Sequence, residues 1–253
     1  MITPVLQTGE CNVLWADPRH QPVDVLTSAL SGIERERAST YRREPDRRRY
    51  LTACWLLRAA AAAHLDISPA AVLVERRCPD CDKPHGKTYI RNAVPELHAS
   101  VSHSANRVAV AVSSAGPLGI DVEEVPSGPV AELAQCALSP VEQAILRALP
   151  EHEQNIGFAR MWVCKEAVLK ATGHGLRIPP DQVEVSGPNE APALLGWPLD
   201  IPPGAVQIHT LDPGDGYVGV VAVIADDLPI TVSESDATDL RRTPFSDAAC
   251  KAA

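Results

Sequence analysis

Two carboxylates in the stretch G-I-D-V-E-E stand at a spacing that suits a metal ion. Successive side chains of a β-strand alternate between its faces, so we expect Asp121 and Glu123 on one face and Val122 on the other. Carboxylates that share a face repel each other unless a cation lies between them. Mg²⁺ is the natural cation, because it favours one or two carboxylates together with water and phosphate oxygens. The alternative is an edge strand whose acidic side chains are solvated.

The stretch W-V-C-K-E-A-V-L-K-A-T-G-H-G-L, Trp162 to Leu176, predicts a helix that ends at its glycines. Glu166 lies one turn after Trp162 and borders the apolar face of this helix. A glutamate there could bind a metal ion together with the two carboxylates above, or act as a base. Lys170, one turn further on, could reach a phosphate. The alternative is an ordinary Glu→Lys pair four residues apart, worth about 0.2–0.5 kcal/mol.

A third stretch, V-S-H-S at Val101–Ser104, ends a predicted strand with two hydroxyls and an imidazole. Ser102 and His103 could donate hydrogen bonds to phosphate oxygens. The sequence sets no acidic partner beside them, so a serine-hydrolase site is not favoured. A structural histidine is the alternative.

The stretch C-P-D-C-D-K-P-H-G-K-T holds possible zinc ligands and a possible anion-binding loop. Cys78 and Cys81 have the spacing of zinc ligands and His85 could be a third, but no second C-x-x-C supplies a fourth. Gly86 and Lys87 suit a tight loop that presents an amine to an anion. The alternative is a loop that only connects two strands.

The composition is that of a globular protein and argues against some functional classes. Of the 253 residues, 45% are hydrophobic and 22% are charged, which allows a substantial core. The formal net charge of -9 argues against a protein that coats nucleic acid without specificity. Eight arginines between Glu34 and Arg58 nevertheless form a local basic patch, which could bind an anion or simply be solvated.

Cysteine usage and the N-terminus bear on the compartment. Seven cysteines at irregular spacing do not resemble a disulfide framework. The first residues lack the basic and apolar regions of a signal peptide. No apolar run approaches the roughly 20 residues that a membrane span needs. We therefore expect a cytoplasmic protein.

The secondary-structure pattern divides the chain into two halves with the same element order. In each half helices come first and about three strands follow, which predicts an α+β fold of two similar units. This repeat rests on element order alone, without a residue-level repeat. We expect the halves at residues 1–117 and 118–230, and a disordered tail at 231–253 that is polar from about Asp236. The predicted helices span residues 30–41, 45–64, 130–137, 140–148 and 154–172, and the predicted strands 12–16, 72–77, 97–103, 107–113, 118–125, 182–185, 205–210 and 217–224.

The order of these stretches resembles that of a known enzyme family. A G-K loop, then S-H-S, then G-I-D-V-E, then W-x-x-K-E-A-x-x-K-A-x-G-x-G-L resembles the 4′-phosphopantetheinyl transferases of the larger, monomeric, Sfp-like type. The resemblance covers residues 35–224, and its last two motifs are together highly specific. It implies an α+β fold of two similar halves in a pseudo-twofold arrangement, with the active site at their interface.

The resemblance also implies a reaction. Members of the family transfer the phosphopantetheine arm of coenzyme A to a serine hydroxyl on a carrier protein and release 3′,5′-ADP, with Mg²⁺ or Mn²⁺ on the pyrophosphate. By motif matching, Asp121, Glu123 and Glu166 would bind the metal. Glu166 also matches the proposed base, and Lys170 would contact the phosphate being transferred. Whether Glu166 binds the metal, accepts the serine proton or does both stays open.

Most of the residues implied to bind coenzyme A belong to the N-terminal half, where the resemblance implies the 3′-phosphate and adenine contacts. They are Arg49, Arg37, Gly86, Lys87, Ser102 and His103, joined by Lys170 from the C-terminal half. Arg49 matches the arginine of the 3′-phosphate, whose planar donor fork suits a terminal phosphate, and Arg35 and Arg37 are looser matches. His103 would contact a phosphate as part of the catalytic set, with Ser102 nearby. Gly86 and Lys87 match the loop that lines the adenine, where the family usually reads G-K-P and this chain has Thr88.

The partners implied are apo acyl carrier or peptidyl carrier proteins, served by a monomeric enzyme. Fatty acid, polyketide and nonribosomal peptide carriers all fit, and secondary metabolism such as antibiotic biosynthesis is the family-level expectation. Carriers are usually acidic, so docking would use local basic or apolar surface, and the family recognises carriers in the region from Val125 to Ala148. Two other classes stay open: a non-catalytic coenzyme A- or nucleotide-binding module, and a zinc-stabilised interaction protein built around Cys78 and Cys81.

Overall fold

The computed structural model describes residues 6–237 apart from residues 79, 82 and 84. These residues belong to two compact units. The first unit comprises the chain up to Ser114 together with the residues from Thr231 on, and the second unit comprises Ala115–Ile230. Within the described part of the chain, no helix combines the length and the apolar character that a membrane crossing requires.

The described residues form eleven strands and six α-helices. The strands are β1 (Glu10–Ala16), β2 (Val74–Arg77), β3 (Lys87–Ile90), β4 (His98–Ser104), β5 (Arg107–Ser113), β6 (Leu118–Glu124), β7 (Glu184–Val185), β8 (Leu194–Gly196), β9 (Val206–Leu211), β10 (Tyr217–Ile224) and β11 (Thr231–Asp236). The helices are α1 (Val23–Ser28), α2 (Gly32–Ser39), α3 (Glu44–Leu65), α4 (Ala131–Ala137), α5 (Pro140–Ala148) and α6 (Glu151–Thr172).

The first unit packs the 22-residue helix α3 against a six-stranded sheet. Its strand order is β11-β1-β5-β4-β3-β2, and β11 runs parallel to β1 while the other neighbours are antiparallel. Leu56 and Leu57 of α3 are fully buried in one core with Val110 and Val112 of β5. Proline at the first turn of α3 and its run of leucines and alanines favour this helix.

The second unit packs the 22-residue helix α6 against the three-stranded antiparallel sheet β6-β10-β9. Val168 and Leu169 of α6 share a core with Val218 and Val220 of β10. The helix ends at Gly173, whose φ of 76° is a left-handed conformation that favours glycine. β7 and β8 form a separate two-stranded sheet.

The structure differs from the sequence prediction at four short elements. α1, β3 and β8 were not predicted, and β11 lies inside the predicted tail of residues 231–253. β11 is polar and mostly exposed, so it has no hydrophobic pattern, but its backbone pairs with β1 from Glu10↔Thr231 to Trp15↔Asp236. Residues 238–253 of the predicted tail lie outside the described residues. The two units divide between Ser114 and Ala115, whereas the predicted halves divide after residue 117.

A buried ion pair joins α2 to α3 in the first unit. Ser31 and Glu34 form a capping box, in which the Ser31 N–H donates to Glu34 Oε2 at 2.9 Å. The Arg58 Nε of α3 donates to the same oxygen at 2.8 Å. Arg58 also donates to the carbonyl oxygens of Pro69 and Val72. The charge of Glu34 is therefore neutralised although the side chain is buried.

The second unit repeats this arrangement with other residues. Ser139 and Glu142 form the capping box of α5, with the Ser139 N–H donating to Glu142 Oε2 at 2.8 Å. The Lys165 Nζ of α6 donates to that oxygen at 2.6 Å and to the carbonyl oxygens of Pro180 and Val183. The two units thus share a residue-level repeat that element order alone did not reveal.

Candidate functional site

Asp121 and Glu123 of β6 lie on the side of the strand that faces helix α6. Side chains alternate along the strand, so Gly119, Asp121 and Glu123 share one side. A Cβ atom at Gly119 would lie 2.0 Å from the carbonyl oxygen of Ala167 in α6 and 2.8 Å from Cβ of Lys170. The missing side chain at Gly119 therefore lets α6 lie directly on the acidic side of β6.

Lys170 of α6 reaches the buried carboxylate of Asp121. Its Nζ lies 2.5 Å from Asp121 Oδ1 and donates to the Ile120 carbonyl oxygen at 3.3 Å. Asp121 is 2% exposed, so its negative charge needs a cationic neighbour. From the sequence, Lys170 could have formed an ordinary surface pair with Glu166. In the structure it bonds instead to Asp121 and the Ile120 carbonyl oxygen of β6.

Glu166 is half-buried on the same helix and lies among the charges of β6. Burial raises the pKa of its carboxyl group, Lys170 lowers that pKa, and the negative charges of Asp121 and Glu123 raise it further. The structure thus brings all four predicted residues of the second unit into one electrostatic cluster. Carboxylate oxygens are the ligands that a hard divalent cation such as Mg²⁺ prefers.

An apolar groove adjoins this cluster. It encloses about 470 Å³ and its lining includes Glu123, Leu133, Phe158, Trp162 and Leu176. The rings of Phe158 and Trp162 stack with their centroids 6.4 Å apart. One end of the acidic cluster therefore opens onto apolar surface.

In the first unit, Arg49 lies beside the turn that follows β4. Its Nη1 donates to the Ala105 carbonyl oxygen at 3.1 Å, and its Nη2 pairs with Asp46 of the same helix. Ser102 is buried and His103 is exposed at the end of β4, just before this turn. The structure thus brings Arg49 close to the strand end that carries Ser102 and His103.

Arg37 packs on the ring of Tyr50 in α3. The Arg37 guanidinium carbon is 5.8 Å from the ring centroid of Tyr50, the residue that follows Arg49 in α3. Arg35 instead donates to the Thr27 carbonyl oxygen.

Gly86 and Lys87 lie at the start of β3. Gly86 has a φ of 91°, and a Cβ there would lie 2.2 Å from the Arg77 carbonyl oxygen, so this turn requires glycine. Burial lowers the pKa of the Lys87 amine to about 8, and the charge of Glu96 opposes this shift. Burial and the positive charge of Lys87 lower the pKa of His98, and the charge of Glu96 opposes this shift.

Sequence reasoning missed two kinds of residue. Gly119 was treated only as part of a motif, although a glycine inside a strand is itself a signal of close backbone approach. The basic patch was treated as uniform, whereas Arg58 is buried against Glu34, and Arg48 donates to the carbonyl oxygens of Pro18 and Gln21. Arg58 and Arg48 therefore stabilise the structure of the first unit.

Family models match almost the whole described chain. One described as the 4′-phosphopantetheinyl transferase superfamily matches residues 117–224. Another described as 4′-phosphopantetheinyl transferase, N-terminal, matches residues 14–115.

Several curated relatives are similar over most of their length. A 4′-phosphopantetheinyl transferase of Bacillus subtilis is 32% identical over 189 residues, which cover 75% of this chain and 80% of that protein. The 4′-phosphopantetheinyl transferase HetI of Nostoc sp. is 32% identical over 217 residues, covering 83% of this chain and 86% of that protein. Sfp of Bacillus subtilis is 27% identical over 203 residues, covering 80% and 85%. The solved holo-[acyl-carrier-protein] synthase of Thermotoga maritima matches with a TM-score of 0.35 and 24% identity, over 44% of this chain and 63% of that one.

Proposed function

Because the chain belongs to the 4′-phosphopantetheinyl transferase superfamily and is a transferase of that class, we propose that it modifies carrier proteins. The enzyme transfers the 4′-phosphopantetheine arm of coenzyme A to a serine hydroxyl of an apo acyl or peptidyl carrier protein and releases 3′,5′-ADP. The observation that carries the proposal is the cluster where α6 lies on β6. There Lys170 meets Asp121, and Glu166 lies among the charges of Asp121 and Glu123.

The transfer requires a base and a cation at the reacting phosphate. The serine oxygen forms a bond to the β-phosphorus, and the bond from that phosphorus to the bridging oxygen breaks. The leaving 3′,5′-ADP keeps the electron pair. Glu166 accepts the serine proton, directly or through water, because it is the half-buried carboxylate on the helix that also carries Lys170. Lys170 contacts the transferred phosphoryl group and stabilises its charge.

Asp121, Glu123 and Glu166 hold one Mg²⁺ ion, for which Mn²⁺ can substitute. When bound, the metal neutralises charge on the pyrophosphate of coenzyme A and on the leaving group. The support is the chemistry of the donor set, since Asp121, Glu123 and Glu166 offer only oxygen ligands, which Mg²⁺ prefers. Asp121 also bonds to Lys170, so this carboxylate would contact both the ammonium group and the metal.

Residues of the first unit contact the nucleotide part of coenzyme A. Arg49 binds the 3′-phosphate with Arg37 assisting, and His103 binds a pyrophosphate oxygen with Ser102 beside it. Gly86 and Lys87 line the adenine. The proposal is supported by the contact of Arg49 with the turn after His103, which keeps cationic and hydrogen-bonding groups close together.

The carrier protein docks on the apolar groove beside Glu123. Both partners are acidic, because this chain has a net charge of -9 and carriers are usually acidic, so long-range attraction does not bring them together. Leu133 and Leu176 line the groove and are 52% and 66% exposed, which offers apolar contact area for a carrier protein. The serine of the docked carrier is then next to the acidic cluster.

Incubation with coenzyme A, Mg²⁺ and apo carrier proteins of the fatty acid, polyketide and nonribosomal peptide types tests the proposal. We expect one carrier type at least to gain the mass of one phosphopantetheine, with 3′,5′-ADP appearing in equal amount. Asp121→Asn should lose most of this activity and regain part of it in excess Mg²⁺, whereas the exposed Asp227→Asn should behave as the unchanged protein. Binding of coenzyme A without any mass gain on all three carriers would overturn the proposal.

A further inference from the structure

Three metal-binding side chains meet in the loop that joins β2 to β3. The Sγ atoms of Cys78 and Cys81 and a ring nitrogen of His85 lie within 4.8 Å of one another. Cys81 Sγ and His85 Nε2 are 3.0 Å apart. Among the described residues, this is the group of three or more histidine, cysteine or carboxylate side chains whose ligand atoms come this close. None of the three has a part in the transfer reaction.

The β-hairpin fixes the two ends of this loop. β2 and β3 pair from Val74↔Ile90 to Arg77↔Lys87, so Cys78 directly follows the last paired residue of β2. Gly86 closes the other end, where its backbone lies against the Arg77 carbonyl group. The ligands therefore project from a short loop whose ends are already held by strand pairing.

The separations fit a tetrahedral ion. Zinc lies about 2.3 Å from a thiolate sulfur and about 2.0–2.1 Å from an imidazole nitrogen, so neighbouring ligand atoms stand about 3.5–3.8 Å apart. The observed atoms need shifts of about 1 Å to reach those positions, within the reach of side-chain rotation. Two soft sulfurs and an imidazole select zinc over Mg²⁺ and Ca²⁺, which prefer oxygen ligands.

The described residues of this loop do not form a hydrophobic core. Its described residues include Asp80 and Lys83, both exposed, and none is a buried apolar side chain. A metal ion that joins Cys78, Cys81 and His85 would cross-link the loop without a hydrophobic core, as in small metal-stabilised loops.

We infer that Cys78, Cys81 and His85 bind one Zn²⁺ ion, with a water molecule as the fourth ligand. The two thiols release their protons to solvent on binding and the imidazole binds as the neutral ring. The ion fixes the loop next to Gly86 and Lys87. A resulting effect on coenzyme A affinity rests on the proposed function, whereas zinc binding itself does not.

Zinc content of the purified protein tests the inference without any activity assay. The protein is prepared with a phosphine reductant, exposed to excess zinc, desalted and analysed by mass spectrometry of the metal. We expect one zinc per chain in the unchanged protein, and loss of it in Cys81→Ser and in Cys78→Ser/Cys81→Ser. Cys136→Ser, which removes an exposed cysteine of the second unit, should keep it.

Cobalt supplies a second readout on the folded, unchanged protein. Co²⁺ bound by thiolates gives an intense ultraviolet charge-transfer band, which should appear on titration and disappear when zinc is added. The inference is overturned if the unchanged protein, with both thiols shown to be reduced, retains no more zinc than the double variant and gives no such band. A protein that transfers phosphopantetheine but binds no zinc would overturn the zinc site and leave the proposed function standing. A protein that binds zinc but modifies no carrier would overturn the proposed function and leave the zinc site standing.

Discussion

Asp121 and Lys170 show how single residues of this site depend on one another. A carboxylate that is 2% exposed carries a large desolvation cost, and the ammonium group 2.5 Å away offsets it. Burial raises the pKa of the Glu166 carboxyl group, Lys170 lowers it, and the charges of Asp121 and Glu123 raise it further. Two carboxylates in one cluster thus have different environments, which is the usual basis for different roles.

Replacement of Glu166 by glutamine tests its role as the base. Glutamine keeps the shape of the side chain but cannot accept the serine proton, so kcat should fall by about 10²–10⁴-fold. Initial rates are measured at saturating coenzyme A and carrier protein over a series of Mg²⁺ concentrations. Loss of a metal ligand alone would be restored by excess Mg²⁺, whereas loss of the base would not.

The matched control for this variant is Glu151→Gln, which changes an exposed glutamate at the start of the same helix. It should leave kcat unchanged. A Glu166→Gln protein that turns over as fast as the unchanged protein at every Mg²⁺ concentration would exclude Glu166 as base and as ligand.

At the scale of secondary-structure elements, the site depends on how closely α6 approaches β6. Gly119 lies two residues before Asp121 and therefore on the same face of β6. A Cβ atom added at Gly119 would lie 2.0 Å from the backbone of α6. The close approach is therefore built into the strand, and it sets the reach of Lys170 to Asp121.

Gly119→Ala should lower both stability and activity. The added methyl group meets the backbone of α6 rather than a flexible side chain, so the helix must move, and overpacking of this kind costs about 1–3 kcal/mol. Urea unfolding measures the stability change, and kcat measures the displacement of Lys170 and Glu166. Gly204→Ala is the control, because nothing lies within 4 Å of a Cβ at that position. If Gly119→Ala and Gly204→Ala have equal free energies of unfolding, α6 does not pack closely against Gly119.

The buried pair between α5 and α6 makes a separate prediction about stability. Lys165 is fully buried and donates to Glu142, so Lys165→Met leaves a carboxylate without its cation in the interior. Breaking a buried pair from one side costs about 3–5 kcal/mol. The double variant Glu142→Gln/Lys165→Met should regain part of this loss, since the amide removes the charge and can still accept from the Ser139 N–H. Urea unfolding of both single variants and the double variant checks this, and additive losses would contradict a direct pair.

The elements that the sequence predicted well are those with strong local patterns. α3 and α6 have long runs of helix-forming residues, and β5, β6 and β10 have apolar runs bounded by turns. β11 and β8 have no such pattern, because pairing with a neighbour rather than burial of an apolar face holds them. Tertiary contact, not local preference, decides such strands.

The residue-level repeat was within reach of the sequence. Each unit contains Ser-x-x-Glu at the start of a helix, followed by a basic residue in the next long helix. Each also contains an Ile-x-Pro-x-x-Val segment, at residues 67–72 and 178–183. What the sequence could not supply is the partnership of Arg58 with Glu34 and of Lys165 with Glu142, because residues more than 20 positions apart are joined only by packing.

For the molecule as a whole, a net charge of -9 makes apolar contact the expected route to an acidic carrier. Leu133→Asp removes apolar area from the groove and adds a negative charge beside an acidic partner. Loss of one buried leucine is worth about 1.5–3 kcal/mol, so KM for the carrier should rise at least about tenfold while KM for coenzyme A stays the same. Steady-state kinetics with each substrate varied in turn measures both constants.

Leu195→Asp is the control for the groove variant, because Leu195 is 60% exposed and does not line the groove. It adds the same charge to the surface of the same unit. If both variants raise KM for the carrier equally, the effect is one of overall charge and the groove is not the docking surface.

The parallel pairing of β11 with β1 has a consequence for the order in which the protein is made. The chain leaves the first unit after Ser114 and returns at Thr231. The Ser113 hydroxyl donates to the Glu10 carbonyl oxygen, and the Thr231 N–H donates to the Gly9 carbonyl oxygen. A ribosome therefore completes all of Ala115–Ile230 before it supplies the strand that covers the outer edge of β1. Until then β1 exposes unpaired backbone groups, a template for pairing with other chains. The nascent protein is thus most prone to aggregation while its second unit is being translated. The pairing of its first strand is completed only when β11 has been made.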